Sequence, residues 1–80
     1  MAEVHFVHRW QTIGNMIKWG RIKSHTPPIT ISKKLGITIE EYNKIENDEI
    51  IPSDYQITTL AKILKLNKQK LGLLAGKVIQ

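Results

Sequence analysis

Apolar residues recur along the chain at the spacing of helices rather than strands. Trp10, Ile13, Ile17 and Gly20 fall at i, i+3, i+7 and i+10, one side of an α-helix. Phe6 extends that stripe one turn back. The first helix could begin near residue 5 or near Thr12, and the pattern favours about 11–24, with residues 1–10 as an N-terminal arm. Ile31 and Leu35 mark a short second helix, and Tyr42 and Ile45 a third that runs to about Asn47. Ile57, Leu60, Ala61 and Leu64 give the i, i+3, i+4, i+7 face of a fourth. Leu71, Leu74 and Ala75 give a fifth. No segment alternates cleanly enough for a core strand.

Start and stop signals bracket these stripes. In Thr26-Pro27-Pro28 the prolines end the first helix, Thr26 is placed to cap the next, and Pro27 suits its first position. Gly36 follows Leu35 where a left-handed residue closes a helix. Thr38 with Glu41, and Ser53 with Gln56, have capping-box spacing. Asn67 caps the last helix and Gly76 ends it. Asn47-Asp48 tolerates the left-handed turn that closes the third. The expected fold is all-α: one domain over 1–80 with a compact five-helix core over 11–77. Ile17, Ile31, Leu35, Ile37, Ile45, Leu60, Leu64 and Leu71 are expected to share one core.

Composition narrows the chemistry. A chain of 80 residues buries only about 60% of its unfolded surface, close to the lower limit for independent folding. It has no cysteine, which excludes disulfides, thiolate metal sites and thiol nucleophiles. No apolar run reaches the roughly 18 residues that span a bilayer. The start, Met1-Ala2-Glu3-Val4-His5-Phe6, lacks a basic stretch followed by an apolar one, so a cytoplasmic protein is expected.

Charge is unevenly placed. Twelve Lys and Arg stand against seven Asp and Glu, for a net charge of +5. Glu40, Glu41, Glu46, Asp48, Glu49 and Asp54 share one window with Lys44, which sums to −5 there and leaves +10 on the rest. A basic chain suits nucleic acid or another anionic partner, and the position of the acidic segment decides how well.

Site chemistry is sparse. His5 and His8 have i, i+3 spacing, but no cysteine and few acids accompany them, so no metal site is expected. No nucleophile elbow, phosphate loop or paired-carboxylate motif frames the Ser, His and Asp residues, so neither an enzyme nor a cofactor is expected. Trp10 reads as core. Trp19, off the inward stripe, reads as an interface residue. Leu73, Val78 and Ile79 near one end, and Val4, Phe6 and Val7 near the other, are apolar groups that five helices leave over, so a homodimer is expected.

Gly36-Ile37-Thr38 between two short helices is the spacing of a helix-turn-helix, in which the glycine makes the turn and the next apolar residue plugs the core. Ile13-Gly14 with Ile17 and Arg21, the run Ile31 to Thr38, Ile45-Glu46-Asn47-Asp48, Pro52-Ser53, Leu60 to Leu64, Leu71, and Leu74-Ala75-Gly76-Lys77 follow in order without a gap. Together they resemble the XRE-type helix-turn-helix family, the lambda-repressor/Cro-like fold, over about four-fifths of the chain. There are differences. Pro27-Pro28 stands where the family has a Ser-Gln pair, Gly20 where a residue like Leu is usual, Ser32 where Ala is usual, and Asp48 where the turn carries Gly.

The resemblance implies a sequence-specific transcriptional regulator, phage-repressor-like or antitoxin-like, that binds double-stranded DNA as a homodimer. Helices two and three would form the helix-turn-helix. The recognition helix, about Thr38–Asn47, would lie in the major groove, with Thr38, Ile39, Glu40, Asn43, Lys44 and Asn47 toward the bases. Lys33, Lys34 and Arg21 would meet phosphates, as would Lys18 and Lys23. Glu41 has a capping role and Glu46 a position that is often structural, whereas Asp48 and Glu49 bring negative charge toward a polyanion with no such role expected. The other reading is a helix-turn-helix domain used as a protein-interaction module. Its acidic third helix and loop would bind a basic partner, with Ile39, Ile50 and Ile51 adding apolar contact.

Overall fold

The connection Gly36-Ile37-Thr38 fixes the centre of the molecule. In the computed structural model, which describes residues 12–76, Gly36 sits at φ +72° and its N–H returns to the last turn of the preceding helix. A side chain there would be strained, and glycine is not. Two residues later the Thr38 hydroxyl accepts from the Glu41 N–H, and the Glu41 carboxylate accepts from the Thr38 N–H. One helix is thus closed and the next opened within three residues.

Five α-helices and no strand occur among the described residues. They are α1 (Ile13–Lys23), α2 (Pro28–Leu35), α3 (Ile39–Glu46), α4 (Asp54–Leu64) and α5 (Lys68–Leu74). Thr12, Ser53 and Asn67 cap α1, α4 and α5 with side-chain oxygens, and Ser53 and Gln56 complete a second capping box. Helix α3 packs on α2 and α1, and α4 packs on α1, α2 and α5. Among the described residues, no helix is long and apolar enough to cross a membrane.

Ile17, Ile31, Leu35, Ile45, Leu60, Leu64 and Leu71 are buried together, as their spacing predicts. Tyr42, Ile57, Ile13 and Ala75 join them. Ile37, expected inside, is only partly buried and packs on the edge of the cluster, because its place in the turn leaves one side open. Leu74 is likewise partial. Ser32 is buried and satisfies its hydroxyl by donating to the Ile29 carbonyl at 2.9 Å, so this small side chain lies inside without an orphaned polar atom. Trp10 lies outside the described residues, as do His5, His8, Val4, Phe6, Val7, Val78 and Ile79.

The opening of α2 corrects the sequence expectation by one residue. Pro27, not Thr26, is the N-cap, and Pro28 takes the first helical position. A residue preceding proline is driven out of the helical region, and Pro27 is extended at ψ 144° for that reason. Thr26 instead shares a hydrogen bond with Ser24 at 2.9 Å. No side chain caps α2.

Two substitutions measure this core. Leu60→Ala should cost about 2–5 kcal/mol, because Leu60 is completely enclosed. Gly14→Ala should also destabilise strongly, since its Cβ would lie 2.3 Å from the Glu46 carbonyl oxygen. Denaturant unfolding checks both, and an unchanged midpoint for either contradicts the packing described.

Candidate nucleic-acid interface

Helix α3 is eight residues long and amphipathic. Tyr42 and Ile45 point into the core. Glu40, Asn43, Lys44 and Asn47 are all exposed, at i, i+3, i+4 and i+7, and so form one outward stripe. Four of the expected site residues are therefore gathered on a single face. Lys33 and Lys34 are exposed in the last turn of α2, next in sequence to the turn that leads into α3.

Three expected site residues are placed differently. Thr38 is exposed, but its hydroxyl is engaged in the capping box, accepting at 3.1 Å. Ile39 is half-buried against the core cluster, so only part of it faces outward. Arg21 is turned toward α3. Its Nε donates to Glu46 Oε2 at 2.6 Å and its Nη2 to Glu46 Oε1 at 3.2 Å, a two-pronged pair between α1 and α3.

That pair belongs to a larger knot. The Tyr42 hydroxyl donates to the same Glu46 carboxylate from one turn earlier on α3. Burial, reinforced by the hydrogen bond to Glu46, holds the Tyr42 phenol far above its ordinary pKa. The hydrogen bond to Glu46 raises the Arg21 pKa further, against desolvation. One carboxylate thus receives two guanidinium donors and a phenol, and no buried side-chain nitrogen or oxygen lacks a partner among the described residues.

Asp48 has a structural role that the sequence did not reveal. It sits at φ +62°, just past the end of α3. Its Oδ1 accepts from the Gly14 N–H at 2.8 Å, inside the first turn of α1. A carboxylate at a helix N-terminus meets both an orphan donor and the positive end of the helix dipole. The approach is so close that only glycine fits at position 14. Of the six acids in the window, Glu41, Glu46 and Asp48 are thus bound into the fold. Glu49 is exposed and contributes only its backbone N–H, to the Lys44 carbonyl at 2.8 Å.

Helical spacing is the one local signal that could have found the Tyr42–Glu46 contact, since i and i+4 meet on a helix. Nothing local signalled the links from Arg21 to Glu46 or from Gly14 to Asp48, which join residues 25 and 34 positions apart. No family model, curated protein or solved structure matches the chain.

Tyr42 gives the knot a pH signature. A phenol that holds its proton more tightly when folded contributes stability that is complete below the unfolded pKa, about 10, and is lost as pH rises beyond it. Stability should therefore fall more steeply above about pH 10 in the wild type than in Tyr42→Phe, with parallel behaviour at neutral pH. Thermal melts of both proteins across that range check this. Equal slopes would mean that Tyr42 titrates like a solvated phenol.

Proposed function

We propose that the chain is a sequence-specific DNA-binding regulator that acts as a homodimer on a two-fold site in double-stranded DNA, with α2 and α3 as a helix-turn-helix. The observation that carries this reading is the exposed stripe Glu40, Asn43, Lys44 and Asn47 on a short capped helix packed on α2 and α1. Such a helix fits a major groove about 12 Å wide, where an amide pairs with adenine, a lysine with guanine, and a carboxylate accepts from cytosine. Lys33 and Lys34 serve phosphates. Arg21 is assigned to holding α1 against α3, because its fork already faces Glu46.

The acidic segment, the main obstacle to this reading, is largely internal in its work. Glu46 and Asp48 tie α3 and its end to α1, and Glu41 caps α3. What remains around the stripe is three exposed lysines, Lys33, Lys34 and Lys44, with Glu40, Glu41, Asp48 and Glu49. A near-neutral face is suited to reading bases, with modest electrostatic affinity. Exposed Leu73 on α5 is consistent with a dimer contact there. The second reading, an interaction module for a basic partner, draws its support from Ile50 and Ile51, exposed beside Glu49. Ile39, half-buried, adds little to it.

Duplexes selected from a random pool, titrated at two salt concentrations, test the proposal. Lys44→Ala should weaken specific binding by about 1–3 kcal/mol if it contacts a base. Glu40→Gln should change the preferred base at one position, because an amide donates as well as accepts. Glu49→Gln should strengthen binding to all duplexes by reducing repulsion. Asp48 is left intact, since it holds Gly14. The two phosphate-directed lysines, Lys33 and Lys34, give a log–log salt slope of about −2 per subunit. Duplex binding weaker than about 10⁻⁴ M at low salt, below ordinary non-specific association, overturns the DNA reading and favours the module.

A further inference from the structure

Two exposed apolar patches stand on surfaces of opposite charge. The first is a ridge on the connection from α3 into α4. Pro52 is fully buried, and the N–H groups of Glu49 and Ile50 donate to the Lys44 carbonyl at 2.8 and 3.3 Å. Ser53 then closes the capping box of α4. The backbone is held at both ends, and it presents Ile50, Ile51 and Tyr55 outward, the last two 62% and 68% exposed. Glu49 and Asp54, both exposed, share this ridge. A pre-organised loop that shows two isoleucines and a tyrosine loses little entropy when something covers it.

The second patch lies on the outer side of α1. Trp19 and Ile22, at i and i+3, are 44% and 42% exposed. Lys18 and Lys23 flank them, at i−1 and i+4 from Trp19, and both are exposed. No acidic residue occurs anywhere in α1. The patch is therefore apolar at its centre and basic at its rim, where the ridge is apolar and acidic. Interfaces have this anatomy, with an apolar or aromatic centre inside a charged rim.

We propose that the occupant of each patch is the other patch on a second copy of this chain: the Glu49–Tyr55 ridge of one molecule docks on the Lys18–Lys23 face of the next. Charge complementarity carries the assignment. A chain of net charge +5 repels its own copies, and this contact places an acidic surface against a basic one. Trp19 and Tyr55 are its aromatic anchors, while the ion pairs set register and the rate of encounter. The contact uses none of the four stripe residues of α3 and needs no DNA, and Glu49 borders both surfaces.

Sedimentation of the full chain without nucleic acid tests it. The wild type should associate reversibly at low salt, about 0.02 M, and do so less at about 0.3 M, where charges are screened beyond a few ångströms. Lys18→Glu with Lys23→Glu should weaken association at least about tenfold, and so should Glu49→Lys with Asp54→Lys. An equimolar mixture of the two variants should recover it, because the mixture pairs an intact ridge with an intact basic face and one reversed surface with the other. Circular dichroism melts establish that each variant folds. Ile51→Ser, at a solvent-facing position, gives a further loss without touching charge. A wild type that remains at 9.2 kDa at low salt overturns the proposal. Association that both reversals leave intact, as expected of a contact centred on Leu73, or that mixing fails to restore, also overturns it. Duplex binding is measured separately, so failure here leaves the DNA reading standing.

Discussion

The Glu46 carboxylate holds α3 in place. It takes two donors from Arg21 on α1 and one from Tyr42 on its own helix. Removing the carboxylate would leave a partly buried guanidinium and a buried phenol without partners, which costs more than the net gain of any one hydrogen bond. The pair does not serve mainly as a source of stability, since ion pairs taken out of water return little of what desolvation costs. Its consequence is geometric. It ties α1 to α3 beside the Gly14–Asp48 bond, so α3 is held at two points along one side. The outward stripe Glu40, Asn43, Lys44 and Asn47 takes its direction from that attachment.

Much of the fold was legible because it is written in short-range signals. Helical spacing located the five helices, and Thr38–Glu41, Ser53–Gln56 and Asn67 located three of their starts. Gly36 marked a left-handed stop. The slip at Pro27 came from weighing two proline rules in the wrong order: preference for the first helical position yields when the next residue is also proline. Of the six residues that the resemblance turned toward the bases, Glu40, Asn43, Lys44 and Asn47 do face outward, since burial of Tyr42 and Ile45 leaves those positions facing away.

The rest was hidden because it depends on tertiary approach. An acid in a window of acids reads as repulsion until its partner is known. Asp48 looked like a charge set against a polyanion, and it is instead the acceptor at the first turn of α1. Its left-handed backbone and the missing side chain at Gly14 belong to that single contact. Arg21 looked like a phosphate ligand because it is a base on a basic helix, and its fork is turned inward. Sequence composition counts charges, but the fold decides which of them solvent or a partner can meet.

This distinction changes how the net charge bears on function. The chain is basic overall, yet the surroundings of the α3 stripe are nearly balanced, and the bases of α1 outside the knot accompany Trp19 and Ile22. The proposed DNA reading therefore assigns electrostatic affinity and base reading to different groups. On the proposed reading, affinity for phosphate would fall on Lys33 and Lys34, and discrimination on four side chains of which one is acidic and two are neutral. A reader built this way gains less from non-specific attraction than a uniformly basic helix would, so a larger share of its binding must come from matched base contacts and from acting in pairs. On the proposed reading self-association matters to binding rather than being an accessory to it, and the exposed apolar groups on α1 and on the α3–α4 connection are the surfaces proposed to supply it.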